Sequence, residues 1–155
     1  MENYDEALMQ YKKALAKQPD CKWAEALAEM KQEITFDRHN CFVYWKIGNS
    51  LVNTKEDPGA ALENVQEALE ICPDLAQAHL DLARLLAEKG DFQKAAASYR
   101  RVIELSPEEP SVHFLLSTAY RKMGMVNEAN AEARIAQEMS KKAQRARESR
   151  PGTSP

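Results

Sequence analysis

The sequence predicts an all-α fold: a right-handed α-solenoid of antiparallel helix hairpins with about eight helices in all. Two observations lead to this prediction. Apolar and small residues recur at helical spacing in successive short segments, and Gly, Asp or Pro separates one segment from the next. The whole pattern then returns about 34 residues later, which is the period of a two-helix repeat.

The most regular unit covers residues 76–107. Gly90 can adopt the left-handed conformation that ends a helix, and Asp91 can accept hydrogen bonds from the free amides of the next helix. Pro107 ends the second helix because it has no amide hydrogen. One face of the first helix holds His79, Leu82, Ala83 and Leu86, and one face of the second holds Phe92, Ala95, Tyr99, Val102 and Ile103. The unit is therefore predicted to be one helical hairpin.

This spacing resembles the tetratricopeptide repeat, with its pattern of aromatic, Leu, small and Tyr positions followed by Ala, an aromatic residue and Pro. In the central unit these positions hold His79, Leu82, Ala83, Leu86, Ala95, Tyr99 and Pro107. The next unit has His113, Leu116, Ser117, Tyr120, Ala129, Ala133 and Lys141, and the preceding one has Tyr44, Ile47, Gly48, Leu51, Ala61, Val65 and Pro73. The chain is therefore similar to this family over about residues 41–140, and its Glu-Ala-Leu and Gly-Asp-Phe elements look like those of bacterial members.

The resemblance implies five segments. Residues 1–40 form an irregular N-terminal helix pair of partial repeats, because 2–17 and 22–36 both have the pattern of second helices. Either these two helices pair antiparallel, which the short loop between them favours, or the first is an orphan left by truncation. Residues 41–74, 75–108 and 109–140 form three repeats. Residues 141–155 form a basic helical extension and a disordered tail, since Lys141 does not stop the last helix.

Two local details distinguish the repeat at residues 41–74. Its inner loop is one residue longer than in the other repeats, and the dipeptide Asp57-Pro58 predicts an N-cap followed by the first helical residue. The register places Tyr44, and not Trp45, in the large aromatic position, because Gly48 then falls on the small-residue position. Alanines at positions 7, 26, 61, 95 and 129 are expected where two helices cross closely.

Composition excludes several classes of protein. The chain has 155 residues, of which 44% are hydrophobic and 29% charged, with a net charge of −3. No apolar stretch is long enough to span a bilayer and the first residues do not resemble a secretory signal, so a cytoplasmic location is expected. Residues 141–150 carry a net charge of +4 and the rest −7. Because the repeats lack the basic groove of an RNA reader, no nucleic-acid partner is expected.

The cysteine and histidine residues predict no chemistry. Cys21, Cys41 and Cys72 are an odd number at wide spacing, so no disulfide framework is expected. Together with His39 they offer no complete zinc site, and no metal or cofactor is expected. His79 and His113 are 34 residues apart because both occupy the aromatic position of the repeat, so we expect no catalytic residues and no enzymatic activity.

The remaining class is protein binding. In the family, first helices line a concave face that contacts partners. The residues expected on that face are Phe42, Trp45, Asn49, Asn53, Leu80, Arg84, Phe114, Thr118 and Arg121. Trp45, Leu80 and Phe114 form an apolar row, although Leu80 and Phe114 could equally pack on the preceding repeat. Asn49, Arg84, Thr118 and Arg121 form a polar row that could hydrogen-bond an extended peptide.

The sequence therefore predicts a protein-interaction scaffold that binds a peptide or a partner protein. Some family members bind a C-terminal carboxylate through Lys, Asn and Arg side chains of first helices. Asn49 alone matches that set, since Trp45, Asp81, Ser111 and Leu115 stand at the other positions, so this mode is not expected. The alternative is a fragment or subunit of a larger assembly, in which the repeats mediate self-association or domain packing.

Overall fold

The computed structural model describes residues 40–54 and 57–148. These residues form six helices and no strand: α1 (Cys41–Thr54), α2 (Pro58–Ile71), α3 (Ala76–Glu88), α4 (Phe92–Leu105), α5 (Pro110–Lys122) and α6 (Val126–Glu148). The predicted all-α class is confirmed. The two helices expected before residue 40 and the tail after residue 148 lie outside the described residues. Among the six helices, none has the length and apolar character needed to cross a bilayer.

The described residues divide into two compact units, with the boundary between Leu85 and Leu86. In the first unit, α1 and α2 form a hairpin around a core of Tyr44, Ile47, Leu51, Ala61, Val65 and Ala68. Tyr44 is buried and Trp45 is only partly buried, so the predicted register is confirmed. Gly48 makes the hairpin tight: a Cβ there would lie 2.6 Å from Val65 Cγ2 and 3.2 Å from the Ala61 carbonyl oxygen.

Short polar side chains define the helix ends of this hairpin. Asn40 Oδ1 accepts a hydrogen bond from the Phe42 amide at 3.1 Å at the beginning of α1. Asp57 Oδ1 accepts from the Ala60 amide at 2.9 Å, and Pro58 is the first residue of α2. The predicted N-cap and the predicted position of the proline are both confirmed.

The first hairpin is closed by a disulfide between Cys41 and Cys72, whose Cα atoms are 5.8 Å apart. The sequence pattern indicated no disulfide framework, and it did not predict this one disulfide. Cys41 begins α1 and Cys72 follows α2. Because the two helices run antiparallel, residues 31 positions apart in sequence meet at one end of the hairpin. An odd number of widely spaced cysteines gave no indication from the sequence that Cys41 and Cys72 are paired.

In the second unit, the predicted turns and caps recur. Gly90 and Gly124 have φ values of 86° and 77°, the left-handed conformation that Gly adopts readily. Asp91 Oδ1 accepts from the Lys94 amide at 3.2 Å and thereby caps α4. The hydrogen bonds from the Lys94 side chain and backbone hold the pKa of Asp91 below its usual range.

The hairpin of α5 and α6 is held by polar contacts around a small apolar core. Ser117 Oγ donates to the Ala129 carbonyl oxygen at 2.8 Å, and His113 Nδ1 lies 2.7 Å from Glu132 Oε2. Ala61, Ala95 and Ala129 are each fully buried, as expected of residues at close helix crossings. Helix α6 has 23 residues whereas α4 has 14, which confirms that nothing at Lys141 stops it.

Candidate partner-binding face

The centre of the first unit's candidate face is Asp81, a buried carboxylate that is only 2% exposed. Its Oδ2 accepts from Trp45 Nε1 at 3.0 Å and from Asn49 Nδ2 at 2.8 Å. Its Oδ1 lies 3.4 Å from an Arg84 guanidinium nitrogen. Three residues expected on the partner-binding face thus meet at one carboxylate, which links α1 to α3.

A second hydrogen bond extends this arrangement along α1. Asn53 Nδ2 donates to Asn49 Oδ1 at 3.2 Å, while Asn49 Nδ2 donates to Asp81. The two amides therefore form a directed chain that ends at the carboxylate. Asn53 is exposed, so its own Oδ1 is the acceptor at the open end of this chain.

The aromatic residues of this face differ in exposure. Phe42 is 51% exposed, and its ring meets the Trp45 ring edge-on with centroids 6.5 Å apart. Trp45 is partly buried and its indole N–H is engaged by Asp81, so the ring, and not its polar atom, remains for a ligand. Leu80 is half-buried, whereas the Arg84 side chain is 45% exposed. We name Phe42, Trp45, Asn49, Asn53 and Arg84 the α1–α3 face.

The predicted residues of the second unit lie on α5. Phe114 is 62% exposed, and Thr118 and Arg121 are exposed as well. Their spacing of four and then three residues places them on one side of the helix. Thr118 Oγ1 donates to the Phe114 carbonyl oxygen of its own helix at 3.0 Å, so its proton is already engaged. Because Phe114 is mostly exposed, it is accessible to a partner and does not lie in the core of its unit.

Asp81 was not among the residues predicted for this face, although it accepts hydrogen bonds from two of them. It lies on the same side of α3 as the buried residues Ala78 and Leu85, three residues after the first and four before the second. A carboxylate at such a position requires partners, because burial without them is costly. A charged residue on the buried side of a predicted helix could therefore have indicated this site from the sequence.

His79 and His113 make contacts within the folded repeats. His79 Nε2 lies 2.8 Å from the Pro73 carbonyl oxygen, and His113 faces Glu132. Cys41, considered above as a zinc ligand, is bonded to Cys72. Within residues 40–54 and 57–148, no group of three His, Cys, Asp or Glu side chains is arranged to hold a metal ion.

Comparison with known proteins gives relatives of one kind. The Photosystem I assembly protein Ycf3 of Synechococcus sp. (strain CC9605) is 30% identical over 94 residues, which is 59% of this chain and 54% of that protein. Its counterpart in Prochlorococcus marinus is 26% identical over 112 residues, 70% of this chain and 64% of that protein. The chain thus spans less than two thirds of the length of either relative.

Solved structures agree on the fold. The crystal structure of MamA superposes with a TM-score of 0.69 at 21% identity and covers 87% of each chain. YrrB, a tetratricopeptide protein with an unusual peptide-binding site, superposes with a TM-score of 0.66 at 19% identity, covering 72% of this chain and 57% of its own. Two tetratricopeptide repeat models match residues 47–110 and 86–147. Since these matches together extend from residue 47 to residue 147, the chain belongs to the tetratricopeptide repeat family.

Proposed function

We propose that this chain is a protein-interaction scaffold that binds an extended segment of a partner on the first helices of its repeats. The observation that carries the proposal is the α1–α3 face, where an exposed aromatic ring adjoins hydrogen-bonded amides. The full set of proposed contact residues is Phe42, Trp45, Asn49, Asn53, Leu80, Arg84, Phe114, Thr118 and Arg121. The named relatives support a role of this kind: Ycf3 is an assembly protein and YrrB has a peptide-binding site.

The spacing of the amides suits an extended peptide. Asn49 and Asn53 are one helical turn apart, about 6 Å along the axis at 1.5 Å per residue. Alternate residues of an extended chain are about 6.6–6.8 Å apart, which is a similar distance. A peptide along α1 could thus place successive backbone groups near both amides, while the Phe42 and Trp45 rings accept an apolar side chain.

The proposal assigns no catalytic step, cofactor or nucleic acid to the chain. His79 lies against the Pro73 carbonyl oxygen and His113 against Glu132. The buried Asp81 accepts hydrogen bonds from Trp45 and Asn49. The partner is therefore proposed to be a protein or a peptide.

A second candidate function is self-association or packing within a larger assembly. It is favoured by residues 141–148 of α6, all exposed, which hold Lys141, Lys142, Arg145 and Arg147 against Glu148. The remaining 140 residues before them carry a net charge of −7 by sequence. Opposite charges of this kind would draw copies of the chain together at low ionic strength.

A peptide selection separates the two functions. A random peptide library selected on the purified chain is expected to yield a binding peptide, and Phe42→Ala is expected to weaken that peptide about tenfold or more, as for an aromatic contact residue. Val126→Ala is the matched control, because Val126 is an equally exposed apolar residue, 58% exposed, on a second helix. Failure to select any peptide, together with salt-sensitive dimerisation in sedimentation, would instead favour self-association.

A further inference from the structure

We propose that Asp81 is the positioning residue of the α1–α3 face: its buried carboxylate sets the orientation of Trp45 and Asn49. The proposal rests on the proposed function, since it concerns the surface on which a partner is expected to bind. Asp81 itself is 2% exposed and so lies beneath the face.

The Asp81 carboxylate depends on its hydrogen-bond donors. A buried carboxylate without partners is strongly disfavoured, so Asp81 requires the Trp45 and Asn49 donors as much as they require it. Both donors reach the same oxygen, Oδ2, at 3.0 and 2.8 Å. Arg84 is farther away, at 3.4 Å, and its side chain is 45% exposed, so it is the weaker of the three partners.

The hydrogen bonds to Asp81 also fix the side chains of the surface above it. With its Nδ2 held by Asp81, Asn49 must direct Oδ1 along α1, where it accepts from Asn53. With its N–H held by Asp81, the Trp45 ring is fixed against the exposed Phe42 ring. One carboxylate thus orders an aromatic pair and an amide pair before any partner arrives, which lowers the entropy lost on binding.

The test uses variants of the full chain in a Trp23→Phe background, in which Trp45 is the single tryptophan. Asp81→Asn preserves the shape of the side chain but removes its charge and replaces one acceptor oxygen with an amide donor, so the hydrogen bonds from Trp45 and Asn49 lose their charge assistance. We expect acrylamide to quench Trp45 more strongly in this variant. The library-selected peptide should bind about tenfold more weakly, the effect of losing one charge-assisted hydrogen bond.

Two controls distinguish positioning from a loss of folding. Arg84→Met retains the apolar stem without the guanidinium and should leave Trp45 quenching near its original value. Asp81→Leu, which has a similar shape but no acceptor oxygen, should raise the quenching of Trp45 further than Asp81→Asn, which keeps one acceptor. Circular dichroism verifies that each variant is folded.

The outcomes separate this proposal from the proposed function. Unchanged quenching in Asp81→Asn overturns the positioning role, whatever the peptide does. Increased quenching with unchanged peptide affinity also overturns it, because the ordered side chains would then not serve binding. If no peptide is selected at all, the proposed function fails, and the role of Asp81 in binding fails with it.

A second inference rests independently on the disulfide. We infer that this chain folds in an oxidising compartment, in place of the cytoplasmic location expected from sequence. Disulfides persist in oxidising compartments and are rare where cellular thiols keep cysteines reduced. Cys41 is buried in the core of the first hairpin, with its Cα 5.8 Å from that of Cys72, within the usual range for such a bond.

Formation of the bond removes two protons and two electrons from the two thiols. The acceptor is a disulfide-bearing oxidant of the compartment, which is reduced to a dithiol in exchange. The S–S bond then forms between Cys41 and Cys72, and no atom of the chain is lost except the two hydrogens.

Counting thiols in the source cells tests this inference. Acid-quenched, denatured chain is labelled with a maleimide polymer, which retards the protein in a gel once per free thiol. Of the three cysteines, one should react before reduction and three after it. Cys41→Ser should show two reactive thiols in both conditions. Three reactive thiols before reduction would overturn the inference.

Discussion

The hairpins α1–α2 and α5–α6 are equivalent repeats, but their two helices pack differently at the small-residue position. Gly48 and Ser117 both hold the small-residue position on a first helix. At Gly48 a Cβ would meet Val65 and the Ala61 carbonyl oxygen, so backbone contacts backbone. At Ser117 a hydroxyl occupies that space and donates to the Ala129 carbonyl oxygen. The repeat therefore requires a small residue at this position, and the distance between the two helices decides whether a side chain fits there.

The two hairpins also differ in how their helices are linked. The first has a covalent bond between Cys41 and Cys72, whereas the second has the contact of His113 with Glu132. A disulfide constrains the unfolded chain as well as the folded one, but a polar contact acts only once the helices are packed. We therefore expect the first hairpin to depend on redox conditions and the second to be indifferent to them.

The largest expected effect is the loss of the disulfide. Replacing Cys41 and Cys72 with Ser should lower the free energy of unfolding of the first unit by roughly 3–4 kcal/mol, the chain-entropy value for a loop of about 30 residues. The measurement is urea denaturation followed by Trp45 fluorescence in the Trp23→Phe background. Cys21→Ser is the control. Equal midpoints for the double variant and the control would show that the bond does not hold the hairpin.

The next effect concerns the crossing at Gly48. Gly48→Ala should destabilise the chain by about 1–3 kcal/mol, because the added methyl group overpacks against Val65 and the α2 backbone. Gly59→Ala is a matched control in the exposed first turn of α2, where a Cβ approaches only Asp57 Oδ1, at 3.3 Å. Since Ala favours helix more than Gly, the control should be neutral or stabilising. A stabilising Gly48→Ala would mean that the two helices are not in close contact there.

The corresponding change in the second hairpin should be smaller. Ser117→Ala removes a buried hydrogen bond without adding volume, and should cost about 1 kcal/mol. Thermal or urea denaturation measures it, with Ser111→Ala, at an exposed position of the same helix, as the control. If both serine variants have the same stability, the bond to Ala129 makes no net contribution.

The smallest expected effect concerns the residue that precedes the second helix of each hairpin. Asp91 caps α4, but the equivalent position before α6 is Met125, which is 38% exposed and whose side chain has no oxygen to accept from the free amides of the helix. Met125→Asp should stabilise the second unit by about 0.5–1 kcal/mol, at the lower end of the range for N-caps. Denaturation against Met125→Ala separates capping from the removal of an exposed apolar side chain. Equal stabilities of the two variants would argue against capping.

Features governed by neighbouring residues were predictable from the sequence. The N-caps at Asp57 and Asp91 and the turn at Gly90 depend on contacts within a few residues of each other. Buried alanines and the overrun of α6 past Lys141 follow from the repeat period. The nine proposed partner-contact residues also follow from the period, and their role in binding remains a proposal.

Features that join distant residues were not predictable. Asp81 lies 36 residues from Trp45 and 32 from Asn49, and no local pattern marks the three as one group. Cys41 and Cys72 are similarly far apart, and their count argued against pairing. The hairpin of α1 and α2 brings the two cysteines within reach, and the packing of α3 against α1 does so for Asp81 and its donors.

The sequence by itself determined that this chain is a series of helical hairpins of the tetratricopeptide kind, because period, helix ends and small-residue positions are properties of local chemistry repeated along the chain. Only the tertiary structure decided that a buried aspartate accepts hydrogen bonds from Trp45 and Asn49 and that a disulfide closes the first hairpin. Both depend on the distance and direction between side chains on different helices, and those are fixed only when the helices pack.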